Sequence, residues 1–359
     1  MAQEQLLSAR IKLLPKKQKA RCRRNTDCKM QAKLKALLLR EHFFVLALKT
    51  DCCSPKAGCT NKDYVVYFAR LKEVRMTVLQ GIVLGLVQGI AEFLPISSSG
   101  HLALAQRLLG ITEVPLLFSV VLHLATMCAV VVFFRKRIWS LLRAFGRAMT
   151  FRSIKNESER AERMYIASVL VVTLITGVIG IALEKLTGNV PIECVFMGFL
   201  ATAMLLVFSS LVEKRRSRRN TASPANLKTP IAGQSSQAPN LWQATIIGIS
   251  QGLGTLPGIS RSGATISGAL FCNVERTCAG EFSFIASIPA IFGAFILEAK
   301  DLGEVASTIG LAPLVTGCAV AAASGYGALT LLMKLIQKGK LEWFACYLIP
   351  VAICGLFFL

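Results

Sequence analysis

The sequence predicts an all-α polytopic membrane protein built as an inverted repeat, each half carrying one re-entrant helical hairpin and three transmembrane helices. Three observations predict it. Apolar side chains make up 53% of the 359 residues and charged ones only 17%, where a soluble chain carries about 25% charged. Several apolar runs approach the roughly 20 residues that cross a bilayer. Finally, one stretch occurs twice without a gap, Gln88 to Leu102 and Gln251 to Thr265, with six of fifteen positions identical; chance gives about one, and internal similarity at a fixed offset signals a repeat. Both copies interrupt apolar sequence with Pro, Gly and Ser. Broken backbone survives at membrane depth only inside protein or along a wet cavity, and paired interruptions in two halves point to a midplane binding site.

Residues 1–75 read differently, with 18 Lys and Arg against 6 Asp and Glu. They are read as a basic extension, disordered or non-native, because Met76 opens the first regular apolar pattern; Ala36 to Leu48 is too interrupted to span. The first repeat is 76–212: a hairpin over 76–110, broken by Pro95 with Ser97-Ser-Ser-Gly100 as the N-cap signal of its second arm, then spans Pro115–Phe134, Met164–Leu183 and Pro191–Val212. A loop, 135–163, carries nine basic residues. Residues 213–240 form a basic cytoplasmic linker. The second repeat is 241–359, with a hairpin over 241–274 and spans Glu281–Leu297, Leu311–Met333 and Trp343–Leu359. Three spans is an odd number, so the second half must lie upside down. The basic loops 135–163 and 213–240, and Lys334, Lys338 and Lys340, then fall on one side, as positive-inside bias requires, while the Lys300–Glu304 loop falls on the other. The net charge of +21 sits in the leader and in loops, suiting anionic lipid or substrate more than a folded nucleic-acid face. The twelve cysteines lack metal-ligand spacing and read as small hydrophobes.

Inverted symmetry would bring the two hairpins together, with the equivalent residues Ser98 and Arg261 facing each other. Short-helix N-termini present free N–H groups and a positive dipole end, which suits phosphate; Arg adds a planar charged fork, and Ser97, Ser98, Ser99, Thr255, Ser260, Ser262 and Thr265 add hydroxyls. Gln88 and Glu92 stand at i, i+4 on one face. A carboxylate in apolar surroundings is costly unless paired, so Glu92 is read as holding a divalent cation or moving a proton, with a structural ion pair to Arg261 as the plainer reading. His101 is placed to act as base towards Ser98; alone, such a residue is more often a satisfied polar group. His123 is read as an interhelical hydrogen bond.

The stretch Gln88-Gly-Ile-Ala-Glu92-Phe-Leu-Pro-Ile-Ser-Ser-Ser-Gly-His101, the stretch Pro257-Gly-Ile-Ser-Arg-Ser-Gly-Ala-Thr265, and Glu281-Phe-Ser-Phe-Ile-Ala-Ser-Ile-Pro289 resemble the undecaprenyl-diphosphate phosphatase family, also called the bacitracin-resistance protein family. The resemblance runs from Met76 to the C-terminus. Gln88 is one of two residues the family accepts there, and its neutrality removes one of two acidic groups. The resemblance implies an integral enzyme of the bacterial cytoplasmic (inner) membrane that hydrolyses a polyprenyl diphosphate to its monophosphate and inorganic phosphate with Mg²⁺ or Ca²⁺. That reaction recycles the lipid carrier of peptidoglycan synthesis and confers bacitracin resistance. It further implies Ser98 as nucleophile, His101 as base or acid, Glu92 with Gln88 as metal or proton group, and Arg261 as diphosphate clamp among Ser260, Ser262 and Thr265; Gln88 and the hydroxyls of Ser97 and Ser99 are read as further substrate-binding groups. The residues leave open whether Ser98 or an activated water attacks. Expected partners are the polyprenyl diphosphate and membrane lipids, with a homodimer allowed and no nucleic acid. The competing class is a secondary transporter or flippase of a lipid phosphate or anion, since broken helices in inverted repeats are also carrier architecture.

Overall fold

The computed structural model describes residues 44–49, 64–69, 76–111, 116–150, 157–187, 190–221, 238–298 and 309–358. The rest of the 1–75 extension and the Lys300–Glu304 loop lie outside the described residues. The chain divides into two units, 1–73 and 74–359. In the first, β1 (Phe44–Lys49) pairs antiparallel with β2 (Tyr64–Ala69), Phe44 opposite Ala69. The β-branched and aromatic run Tyr64-Val-Val-Tyr-Phe suits such a strand.

The second unit is helical among its described residues. α1 (Val78–Phe93) starts in a capping box between Thr77 and Gln80. It ends where Pro95 forces the preceding residue out of the helical region, with Leu94 extended at ψ 138°. α2 (Ser98–Leu108) follows. α3 (Leu116–Phe133) and α4 (Arg135–Met149) meet at a bend of 86°. Next come α5 (Glu157–Thr187) and α6 (Ile192–Thr221). α7 (Leu241–Leu253), capped by Asn240 and Gln243, and α8 (Arg261–Phe271) form the second broken pair. α9 (Arg276–Glu298), α10 (Leu311–Gln337) and α11 (Trp343–Phe358) complete the chain. Among the described residues four helices, α5, α6, α9 and α10, are long and apolar enough to cross a membrane, and five if the bent α3–α4 pair counts as one. Leu174, Met204 and Phe208 are exposed on outer faces, as lipid-facing side chains are.

The structure corrects two sequence expectations. Half of the expected loop 135–163 is helix α4, and α5 takes up its end. Leu141 and Ala144 are buried on one face of α4, while Trp139, Leu142, Phe145 and Met149 are exposed on another. The loop reading followed its charge, whereas arginine stems lie readily along an apolar face. The head of the expected linker is also helical, to Thr221, because Arg216 donates to Leu270 O at 3.1 Å and Phe271 O at 2.9 Å, closing the open carbonyls of α8. The expected last span is an apolar helix over Trp343–Phe358.

Small residues set the helix contacts. A Cβ at Gly81 or Gly85 of α1 would lie 2.4 Å from Pro313 O or 2.2 Å from Gly317 O of α10, and such close backbone approach is how membrane helices pack tightly. Gly248 and Gly252 of α7 lie likewise against Ile175 and Ile179 of α5. At one end of the bundle, ion pairs join Arg276 to Glu213 at 2.5 Å, Lys214 to Glu342 at 2.6 Å and Arg137 to Glu281 at 3.0 Å.

Candidate active site

Each break presents a Ser N-cap followed by a charged or hydroxylic first turn. Ser97 Oγ caps α2 by accepting from Gly100 N at 3.4 Å. Ser260 Oγ caps α8 by accepting from Gly263 N at 3.2 Å. Helix α6 braces both breaks. Phe199 lies against Gly100, and Val195 O against Gly258, whose φ of +83° and closeness to that oxygen exclude a side chain. Thr202 Oγ1 accepts from Ser260 N at 2.9 Å and donates to Gly198 O at 3.0 Å. Outside the brace, an apolar groove runs along α6 past Gly198 and Met204 to Leu256, Ile259 and Ile349.

The two breaks meet at Glu92, which is 7% exposed. Gln88 Nε2 donates to Glu92 Oε2 at 2.9 Å, and Ser98 Oγ donates to the same oxygen at 2.7 Å. His123 Nε2 lies 3.2 Å from it. An Arg261 guanidinium nitrogen holds Oε1. Four groups from α1, α2, α3 and α8 therefore converge on one carboxylate, which is how a buried charge is made tolerable. His123 Nδ1 lies 2.7 Å from Ser119 O. A carbonyl only accepts, so Nδ1 carries hydrogen, and the attraction of Nε2 to the carboxylate needs a proton between them.

Ser98 and Arg261 are thus brought to one partner, Glu92, which Gln88 also bonds. The other candidates stand beside them. Ser97 Oγ is 3.4 Å from the exposed Ser99 Oγ, and Ser260 Oγ is 3.1 Å from Ser262 Oγ. Thr265 Oγ1 donates back to Arg261 O at 2.6 Å. His101 does not bond Ser98; its ring nitrogens go to Ser97 O and Tyr347 Oη. His123, expected only as an interhelical bond, makes that bond to the site's carboxylate. Its signal was present as an imidazole inside an apolar run, but its partner was not.

A small cavity behind Arg261 is lined by Glu92, Thr126, Gln251, Ser262, Ser283 and Ser287 among others. Among the described residues Gln88 Oε1 and Gln251 Oε1 are buried without a hydrogen-bond partner. These two glutamines occupy equivalent places in the two copies of the repeat. Orphaned acceptors of this kind mark a place for water, an ion or a ligand.

A polar centre of this composition, enclosed by helices long and apolar enough to cross a membrane, defines a multi-pass membrane protein. Comparison narrows the class. The family model for bacitracin resistance protein BacA matches residues 81–354, and the chain belongs to that family. It is 41% identical over 278 residues to an undecaprenyl-diphosphatase of Treponema denticola, covering 77% of this chain and 96% of the relative. It is 40% identical to one of Desulfosudis oleivorans (76% and 95% covered) and 34% identical to one of Borrelia recurrentis (76% and 96%).

Proposed function

We propose that the protein hydrolyses undecaprenyl diphosphate to undecaprenyl phosphate and inorganic phosphate in the bacterial cytoplasmic membrane, returning the lipid carrier to cell-wall synthesis and conferring bacitracin resistance. The observation that carries the reading is the pairing of Ser98 and Arg261 with the two oxygens of Glu92, in a chain of this family. The diphosphate draws Arg261 from Glu92 onto phosphate oxygens, which frees the carboxylate as base. Ser98 Oγ then attacks the terminal phosphorus and its proton passes to Glu92 Oε2. The bond from that phosphorus to the bridging oxygen breaks and undecaprenyl phosphate leaves; water then attacks the phosphoserine, the bond from phosphorus to Ser98 Oγ breaks, Glu92 returns the proton to Ser98 Oγ, and the proton of the water leaves with inorganic phosphate. Arg261 and the N–H groups opening α2 and α8 meet the charge that builds on the phosphate oxygens.

A divalent cation, Mg²⁺ or Ca²⁺, fits beside this site. Among the described residues Gln88 Oε1 is a buried acceptor with no donor, and Glu92 stands on the same helical face. Among the described residues no cluster of three or more His, Cys, Asp or Glu gathers, so these two would hold the ion with substrate oxygens completing its shell, as is usual for Mg²⁺. When bound it would neutralise diphosphate charge.

The finer architecture we infer is two re-entrant hairpins inserted from opposite faces. Several contacts support it. Gln243 Nε2 donates to Cys272 O at 2.9 Å, so the second hairpin starts and ends at one level. Arg216, from the basic end of the bundle, bonds that same level. Met76 and Ile111, bounding the first hairpin, pack in one cluster with Ile309 at the opposite end of α10. α1 packs on α10 as α7 packs on α5, a swapped pairing expected of a two-fold relation. Opposed hairpins would also suit a carrier. Purified protein given undecaprenyl diphosphate with Mg²⁺ or Ca²⁺ should release inorganic phosphate. Translocation of the lipid with no phosphate released would replace this reading by the carrier.

A further inference from the structure

We propose that His101 and Tyr347 form a clasp that holds the Ser97 turn and so aims Ser98, with His101 a positioning residue and not the proton acceptor. The inference rests on the function proposed above. Ser97 has φ +72°, a left-handed conformation that residues with a side chain rarely adopt and that persists only when its surroundings hold it. It lies immediately before Ser98, so its conformation sets where the Ser98 hydroxyl points. Its carbonyl is held from two sides. Ser97 O accepts from His101 N at 3.2 Å and from the His101 ring at Nδ1, 2.9 Å away. One histidine thus supplies two N–H groups to the carbonyl of the strained residue.

The ring is fixed in its turn. A carbonyl oxygen cannot donate, so Nδ1 carries the hydrogen and Nε2 of the neutral ring is bare. Tyr347 Oη lies 2.8 Å from that nitrogen and donates to it. The imidazole stacks on Phe199, with centroids 4.9 Å apart and planes at 24°, and lies nearly parallel to Tyr347, at 5.7 Å and 20°. Both ring nitrogens are therefore engaged away from Ser98, whose hydroxyl bonds Glu92 at 2.7 Å instead. The clasp joins α2, α6 and α11, so the last helix of the chain orders the turn beside the first break.

Substitution separates a clasp from a base. Asn at position 101 has a side-chain N–H that can reach the same carbonyl but no titrating ring. A hydrogen bond of this kind shifts a population by about twofold to tenfold, and His101→Ala loses two with the stack. His101→Ala should lower kcat by about 100-fold and His101→Asn should recover about tenfold of that, with KM unchanged in both; a base role predicts equal loss, about 100-fold or more. Tyr347→Phe should cost about fivefold in kcat and add little in the His101→Asn background. Independently of turnover, ¹⁵N shifts of His101 should show the Nδ1–H form in the folded wild-type protein and a mixture of tautomers in Tyr347→Phe. Equal kcat in folded His101→Asn and His101→Ala, or an Nε2–H ring in the wild type, overturns the clasp. A wild type that releases no phosphate would overturn the function instead, and the tautomer would still decide the clasp.

Discussion

Replacing Glu92 by Gln keeps shape and removes one charge, and every partner of the carboxylate registers the change. Arg261, whose side chain is 22% exposed, loses its anionic partner, and a single amide oxygen remains where two carboxylate oxygens accepted from Arg261, the Gln88 amide, the Ser98 hydroxyl and His123. The new amide nitrogen also brings hydrogens towards groups that already donate. Breaking one side of a buried ion pair costs about 3–5 kcal/mol, so the substrate-free Glu92→Gln protein should be less stable by about that amount in detergent. Substrate reverses the sign of the electrostatics. A diphosphate supplies the negative charge that Arg261 lacks, so KM should stay level or fall. Turnover should not be rescued, because the group that takes the Ser98 proton is gone; a lost acid–base group costs about 10²–10⁴ in rate. Phosphate release against substrate concentration, alongside thermal unfolding with and without substrate, reads both halves. The pair Glu92→Gln with Arg261→Gln should regain stability without regaining turnover. If Glu92→Gln keeps kcat within about fivefold of wild type, a range below the usual acid–base contribution, the reasoning fails at its centre.

Ser98→Ala should lower turnover by about 10³-fold or more if its oxygen attacks phosphorus, and a loss of only a few fold would make it a phosphate-binding donor, with water attacking. Gly258→Ala puts a Cβ 2.1 Å from Val195 O at φ +83°; the backbone conformation alone costs about 1–2 kcal/mol, and unfolding midpoint and kcat should fall together, whereas Gly146→Ala, whose Cβ meets none of the described residues within 4 Å, should be tolerated. Gln88→Ala should raise the Mg²⁺ concentration giving half-maximal turnover and Gln88→Glu should lower it; unchanged titrations in both would remove Gln88 from the cation site. At the membrane-flanking Glu342, a hydrogen bond from Lys214 holds the carboxyl below its usual range. Its contribution is therefore present above the ordinary Glu value and lost as pH falls through the lowered one. An exposed pair of this kind is worth about 0.5 kcal/mol, so Lys214→Ala should change neutral-pH stability only slightly, and a change of several kcal/mol would show that the pair is not acting as a surface pair.

What was legible in the chain was whatever violated its own surroundings. Glu92 and Arg261 stood out because ionised groups in apolar sequence demand partners, and the repeat placed Ser98 opposite Arg261 without any coordinates. The helices were legible from their apolar length. Other features depended on encounters that no local pattern records. Nothing near His123 announces that its partner lies on α1, and nothing in the apolar run around Tyr347 announces an imidazole from α2. The spacing of His101 to Ser98 suggested a contact, yet the left-handed turn at Ser97 drew the ring to a carbonyl instead. Helix α4 was hidden for the opposite reason: its arginines read as loop, and only the 86° bend after α3 shows a helix turning across the bundle end.

The brace formed by α6 has a pharmacological consequence. Both breaks lean on one rod, so a shift of that rod reaches both. A greasy compound wedged into the groove beside Gly198, where that rod touches Gly258 with no room for even a methyl group, would pry the hydroxyl and the guanidinium apart together. Such a compound would need no phosphate mimicry and no charge, and could reach its seat directly from the lipid.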